Sequence, residues 1–237
     1  GGTYSGSGDL TIDWMVEDPS GGGTFIAPDG TLTYVSRYES GDGASSSSPD
    51  NHCHYARDRF EHNNGLILIN PTKRYGTRSL SSTAGGVRDL YSLTLLSGSD
   101  SNSYRTDVRY ATECTLDGDL IVDGTDNLGN TPLFQPGSQN FDLVVAGNVV
   151  VTDAQFGGNY NYGTMTLGSL LLYPDAIFDA PGHTIHGSGG TTTFTNEGTI
   201  GGSVPYQFWV DSTATFTANS GSITDTWVDS THRWTND

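Results

Sequence analysis

Positive charge is what this chain lacks most. Its 237 residues hold ten Lys or Arg against 27 Asp or Glu, for a formal net charge of −17. Lysine occurs once, as Lys73. From Tyr110 to His232 there is no Lys or Arg at all, while 13 Asp or Glu fall in that stretch. Such a surface does not neutralise phosphates, which excludes DNA or RNA as a partner. It also repels anionic membranes and anionic polysaccharides.

Other absences narrow the class further. Two cysteines, Cys53 and Cys114, make no disulfide framework. They leave one disulfide or two buried thiols as the alternatives. No apolar run is long enough to span a bilayer, and no leader sequence is visible. The chain opens on Gly-Gly without Met, as a processed product or a piece of a longer chain would. Strong helix formers are sparse, and no long amphipathic helical period occurs.

What remains is glycine, 32 residues of it, with Ser, Thr, Asn and Asp, wrapped around short apolar runs. "GLILI", "DLIVD", "DLVVAGNVVV" and "SLLLY" are such runs. They argue against disorder despite a hydrophobic content of only 34 %, and they read as strands bounded by turn residues.

The runs recur. Leu93, Leu120, Leu143, Leu170, Phe194 and Phe216 mark six of them, at steps of 27, 23, 27, 24 and 22 residues. "TTTFTNEGTIGG" at 191–202 is echoed by "TATFTANSGSITD" 22 residues on. A period near 24 with two or three short strands predicts a parallel β-solenoid of about six turns over 87–237, with one apolar column facing inward. Asn127, Asn148, Asn196 and Asn219 are the expected corners. The rival is an antiparallel sandwich or jelly roll, which also spaces short strands regularly. Before residue 87 the period fails. Residues 1–86 are expected to form an antiparallel β-rich module or cap, with "APDGT" as a hairpin turn and 41–51 as a Ser-rich loop.

One stretch has a familiar style. "VRDLYSLTLLSGSDSNSYRTDVRYATECTLDGDLIVDGT", with "GTMTLGSLLLYPDAIFDAPG" and "TATFTANSGSITDTW", resembles repetitive parallel β-solenoid structural proteins of tailed-phage virions (marine type) and bacterial surfaces. The resemblance covers roughly 87–228. It implies a structural part exposed on a virion or outside a cell: a fibre, a tail appendage or a capsid decoration. No catalytic residues come with it.

Several constellations could carry chemistry. In "DNHCHYARDRFEH", His52 and His54 would share a strand face and, with His62, could hold a transition metal. A polar interface loop is the plainer reading. Asp117, Asp119, Asp123 and Asp126 in "DGDLIVDGTDNLGN" could hold Ca²⁺, though the full loop spacing is absent and solvated corners explain them as well. Arg57, Arg59, Arg74, Arg78 and Arg88 lie in the segment that carries eight of the ten basic residues. They fit pairing with acidic walls of another copy, and a homotrimer is the expected assembly. Tyr160, Tyr162, Tyr206 and Trp209 could stack on sugars or anchor a partner. Asp175 and Asp179 are a conceivable glycosidase pair, but they also read as a turn and a strand. The bare 110–232 stretch lacks the cation that lyase chemistry needs. The expectation is therefore a non-enzymatic, cofactor-free homo-oligomer on a virion surface or outside a cell. A bacterial surface adhesin or filament subunit is the alternative, and a carbohydrate-binding or -cleaving spike the third reading.

Overall fold

A computed structural model describes residues 3–12, 15–16, 24–35, 52–55, 60–70, 77–81, 88–97, 107–110, 113–125, 131–136, 141–158, 163–179, 184–187, 193–201, 207–209, 215–218 and 222–223. They form a parallel β-solenoid, and the described residues contain no helix. No helix among them could therefore cross a membrane.

The chain winds through three faces per coil. Coil one holds β1 (Thr3–Ser5), β2 (Leu10–Ile12) and β3 (Met15–Val16). Coil two holds β4 (Thr24–Ile26), β5 (Thr31–Tyr34) and β6 (His52–Tyr55). Coil three holds β7 (Phe60–Glu61), β8 (Leu66–Ile69) and β9 (Thr77–Ser81), and coil four β10 (Arg88–Leu90), β11 (Ser92–Leu96) and β12 (Asp107–Tyr110). Coil five holds β13 (Cys114–Leu116), β14 (Leu120–Asp123) and β15 (Leu133–Pro136). In coils six and seven one long strand covers two faces: β16 (Leu143–Thr152) before β17 (Gln155–Gly157), then β18 (Thr164–Leu172) before β19 (Ile177–Asp179). Coil eight holds β20 (Thr184–Gly187), β21 (Thr193–Asn196) and β22 (Thr199–Gly201), and coil nine β23 (Gln207–Trp209), β24 (Thr215–Ala218) and β25 (Ser222–Ile223). The third face is an unbroken nine-stranded ladder from β3 to β25.

Registry turns the sequence period into core. On the second face Leu10, Leu32, Ile67, Leu93, Leu120, Val149, Leu170, Phe194 and Phe216 are successive partners. The echoed phrases are adjacent coils, with Thr193 on Thr215 and Phe194 on Phe216. On the third face Val108, Phe134, Phe156, Phe178, Ile200 and Ile223 line up. Phe134, Phe156 and Phe178 stack at centroid distances of 6.3 and 5.1 Å. Val108, Phe134, Phe156 and Phe178 are closed to solvent, and each such side chain contributes about 1.5–3 kcal/mol of burial.

Corners set how closely coils approach. Gly147 donates its N–H to the Gly118 carbonyl at 3.1 Å, and a Cβ there would lie 2.7 Å from that carbonyl. Beside it runs a polar ladder. Ser92 Oγ accepts from the Asp119 N–H (3.1 Å). Asp119 Oδ1 accepts from the Asn148 N–H (2.7 Å) and Nδ2 (3.1 Å). Asn148 Oδ1 accepts from the Ser169 hydroxyl (2.7 Å).

Three expectations are corrected. Leu143 leaves the column assigned to it and stands on the first face, between Cys114 and Met165, while Val149 takes its place. The cause is the run 142–151, which rounds a corner inside one strand, with a register shift between Val145 and Asn148. The described strands of 1–86 are also not antiparallel: all of their pairings are parallel. β4 and β5 do not pair with each other across "APDGT". Each instead pairs in parallel with the coils before and after it. Period-two alternation reports which residues face inward, not which way the neighbouring strand runs, so a solenoid corner and a hairpin turn read alike. Ladders cross residue 86 unbroken, β8 pairing β11 and β9 pairing β12, so the coil count rises from about six to nine. Finally, Asn196 is no corner: it is buried in register with Leu172. Asn148 is in the corner ladder. Asn127, Asn219 and the 41–51 loop lie outside the described residues.

Candidate functional site

On the first face, coils three, four and five each contribute one polar side chain to a single spot. They are His62, just after β7, Asp89 in β10, and Asp117, just after β13. One nitrogen or oxygen atom from each lies within 4.8 Å of the other two. The coil repeat of about 4.8 Å makes such convergence possible.

Local structure fixes the histidine. Asn63 and Asn64 adopt left-handed φ of 46° and 58°, which Asn tolerates better than most residues. Gly65 closes the turn, donating its N–H to the His62 carbonyl at 2.9 Å. The Asn64 N–H donates to His62 Nδ1 at 3.0 Å. That nitrogen is thus the acceptor, and the neutral ring carries its proton on Nε2. Nε2 faces Asp117 Oδ2 at 3.6 Å. The ring stacks on Tyr91 at 5.9 Å with 24° between planes, and Tyr91 is exposed. The patch therefore offers one N–H donor, two exposed carboxylates and an aromatic ring.

These atoms suit hydroxyl-rich or cationic groups better than a transition metal. A metal on Nε2 would require the ring proton on Nδ1, facing the Asn64 N–H. The expected three-histidine set is spread over two coils by its backbone positions. His52 and His54 sit on the third face of coil two, and His62 on the first face of coil three. Cys53 is the extra residue of a bulge, since His52 and His54 pair with consecutive Ser79 and Leu80. Strict alternation fails there.

The expected Ca²⁺ loop is divided as well. Asp119 immediately precedes β14 and Asp123 ends it, roughly 13 Å apart along an extended chain. Asp119 Oδ1 serves the corner ladder, and Asp123 Oδ1 accepts from the Thr125 N–H at 2.9 Å. Asp126 lies outside the described residues. Of the three that are described, Asp117 joins the His62 patch. Asp175 is an exposed turn residue with φ of 67°. Asp179 ends β19, and its side chain is outside the described residues.

The cysteines are too far apart for a disulfide. β6 carries Cys53 in coil two, and β13 carries a buried Cys114 in coil five. Three coils amount to about 14 Å, against at most about 6.8 Å between Cα atoms in a disulfide.

Arg57, Arg59 and Arg74 lie outside the described residues, as do Tyr160, Tyr162 and Tyr206. Arg78, Arg88 and Trp209 are placed on β9, β10 and β23 by their backbones alone. The exposed aromatics that are described are Tyr4, Tyr91 and Tyr173, none of which stood out in the sequence. Aligning coils by their corner would have found Asp89 and Tyr91: Tyr91 holds the corner position that glycine fills at Gly65 and Gly118.

Compared with known proteins, the chain matches no family model, no curated protein sequence and no solved structure.

Proposed function

We propose that this chain is a non-enzymatic structural component of a tailed-phage virion: a fibre, a tail appendage or a capsid decoration present in several copies. The observation that carries the reading is the uninterrupted nine-stranded parallel ladder. Every coil is tied to the next by backbone hydrogen bonds and by an apolar column, so load along the axis is shared over many bonds. The acidic walls, at a net charge of −17, keep neighbouring rods soluble. The Arg-bearing segment between Arg57 and Arg109 is complementary to those walls and fits docking between copies, with a trimer as the assembly. A bacterial surface adhesin or extracellular filament would use the same rod.

One observation favours a further role in binding neutral glycans. Tyr91 presents a ring beside two carboxylates and the His62 Nε2–H, a set that can stack on a sugar and bond its hydroxyls.

The structural reading is tested by labelling intact particles with an antibody to this chain and imaging them. Regular labelling of the virion surface supports it; labelling confined to the host envelope transfers it to the adhesin. A glycan array with a product assay tests the binding role, and cleavage of any polysaccharide would overturn the non-enzymatic reading.

A further inference from the structure

Parallel stacking brings two carboxylates of neighbouring coils to one spot on the first face. Asp89 of β10 and Asp117, just after β13, each place an oxygen within 4.8 Å of the other and of a His62 nitrogen. Backbone bonds hold the two coils in step there. Asp117 donates its N–H to the Leu90 carbonyl (3.0 Å), and Gly118 donates to the Tyr91 carbonyl (2.7 Å). Asp89, Tyr91 and Asp117 are exposed, while His62 is half-buried.

The aromatic ring beside them stands clear. Tyr91 lies in register between Gly65 and Gly118, so neither neighbouring coil puts a side chain at its position. Its ring stacks on His62 at 5.9 Å. The carboxylates have charge to spare. His62 Nε2 stands 3.6 Å from Asp117 Oδ2, longer than a made hydrogen bond. Among the described residues Asp89 has no ion-pair partner.

We propose that this patch binds a sugar carrying a free, protonated amino group, with the ammonium between Asp89 and Asp117 and the sugar ring against Tyr91. Oxygens within 4.8 Å of each other admit one donor atom between them at a reach of about 2.7–2.9 Å to each. A hydroxyl placed there has one hydrogen and satisfies one carboxylate; an ammonium has three and satisfies both. Its charge also offsets the mutual repulsion of the two carboxylates, and a chain of net charge −17 draws it in. The His62 Nε2–H is left to donate to a hydroxyl of the same sugar. The inference rests on the glycan reading of this patch and moves its ligand from neutral sugars to amine-bearing ones.

Heteronuclear NMR titration of the full chain near neutral pH tests it, with matched β-linked disaccharides of glucosamine, N-acetylglucosamine and glucose. The glucosamine disaccharide should bind about fivefold tighter than the other two, with shifts centred on Asp89, Tyr91 and Asp117. The preference should shrink as salt rises. Asp89→Asn and Asp117→Asn should each reduce it and together abolish it, with circular dichroism melts showing that the coil is intact. Asp175→Asn removes an equal charge from an exposed turn of coil seven and should leave the preference unchanged, which separates the site from the general field of an acidic chain. Tyr91→Ala should weaken all three sugars, since the ring serves each of them. Equal binding of the three sugars overturns the proposal and leaves the glycan reading standing; binding of none overturns both. The proposal also falls if ethanolamine, an amine without a sugar, binds as tightly as the glucosamine disaccharide, or if the preference survives in the double asparagine variant.

Discussion

Gly147 rests directly on Gly118 of the coil below, with its N–H on the Gly118 carbonyl at 3.1 Å and no room for a β-carbon between them. This contact sets the spacing of the second face at coils five and six. Replacing a glycine by alanine in unstrained backbone usually stabilises by about 0.4–1 kcal/mol through the unfolded chain. Here the sign reverses. Gly147→Ala should destabilise by about 1–3 kcal/mol, the range of overpacking, measured by denaturant unfolding.

The ladder beside that glycine separates charge from hydrogen bonding. Asp119→Ala removes the acceptor for both Asn148 donors and should cost about 1 kcal/mol. Asp119→Asn keeps an Oδ1 acceptor and should stay near wild type. Equal losses in the two thermal melts would mean that the carboxylate acts through its charge.

Phe156 is gripped between Phe134 and Phe178. Phe156→Ala opens a cavity in a closed interior and should cost about 3–5 kcal/mol. Hydrogen exchange should show the loss centred on coils five to seven.

Tyr110 makes a prediction with a pH sign. Its hydroxyl is buried and has no hydrogen-bond partner among the described residues. Burial, followed by the influence of Cys114 and Asp142, pushes its pKa well above a phenol's ordinary value. Above about pH 10 the unfolded chain releases this proton while the folded chain holds it, so the folded state binds more protons and stability falls as pH rises. Below that range the contribution is fully present. Tyr110→Phe should remove the alkaline decline attributable to this group. It should also stabilise at neutral pH, since an unpaired buried hydroxyl costs about 1–3 kcal/mol. Paired unfolding curves at neutral and alkaline pH check both, and a destabilised Tyr110→Phe at neutral pH would contradict the account.

The solenoid was legible wherever one apolar run made one strand. Leu93, Leu120, Leu170, Phe194 and Phe216 share a column as their spacing implies. Spacing alone puts Leu143 in the wrong column because "DLVVAGNVVV" serves two faces, and its Ala146-Gly147 corner looks like strand interior. The first three coils were hidden by uneven length: 35 residues separate Leu32 from Ile67, against 21 from Val149 to Leu170. An insertion between strands leaves the ladder intact but breaks any fixed period. The third-face column was readable, since Phe134, Phe156 and Phe178 recur every 22 residues. The candidate site was half legible. His62 belongs to a histidine-rich run and Asp117 to an acidic one, and only the coil register brings them together with Asp89.

The central claim is that one parallel, in-register ladder runs from the first coils to the last. Nitroxide pairs measured by double electron–electron resonance test it most directly, with Thr33 as the common site. Thr33, Leu68, Thr94, Ile121, Val150, Leu171, Thr195 and Thr217 are successive partners. Distances from Thr33 to Leu171, Thr195 and Thr217 should grow by about 4.8 Å per coil, from roughly 24 to roughly 34 Å. Distances that fail to lengthen in that order would contradict the ladder.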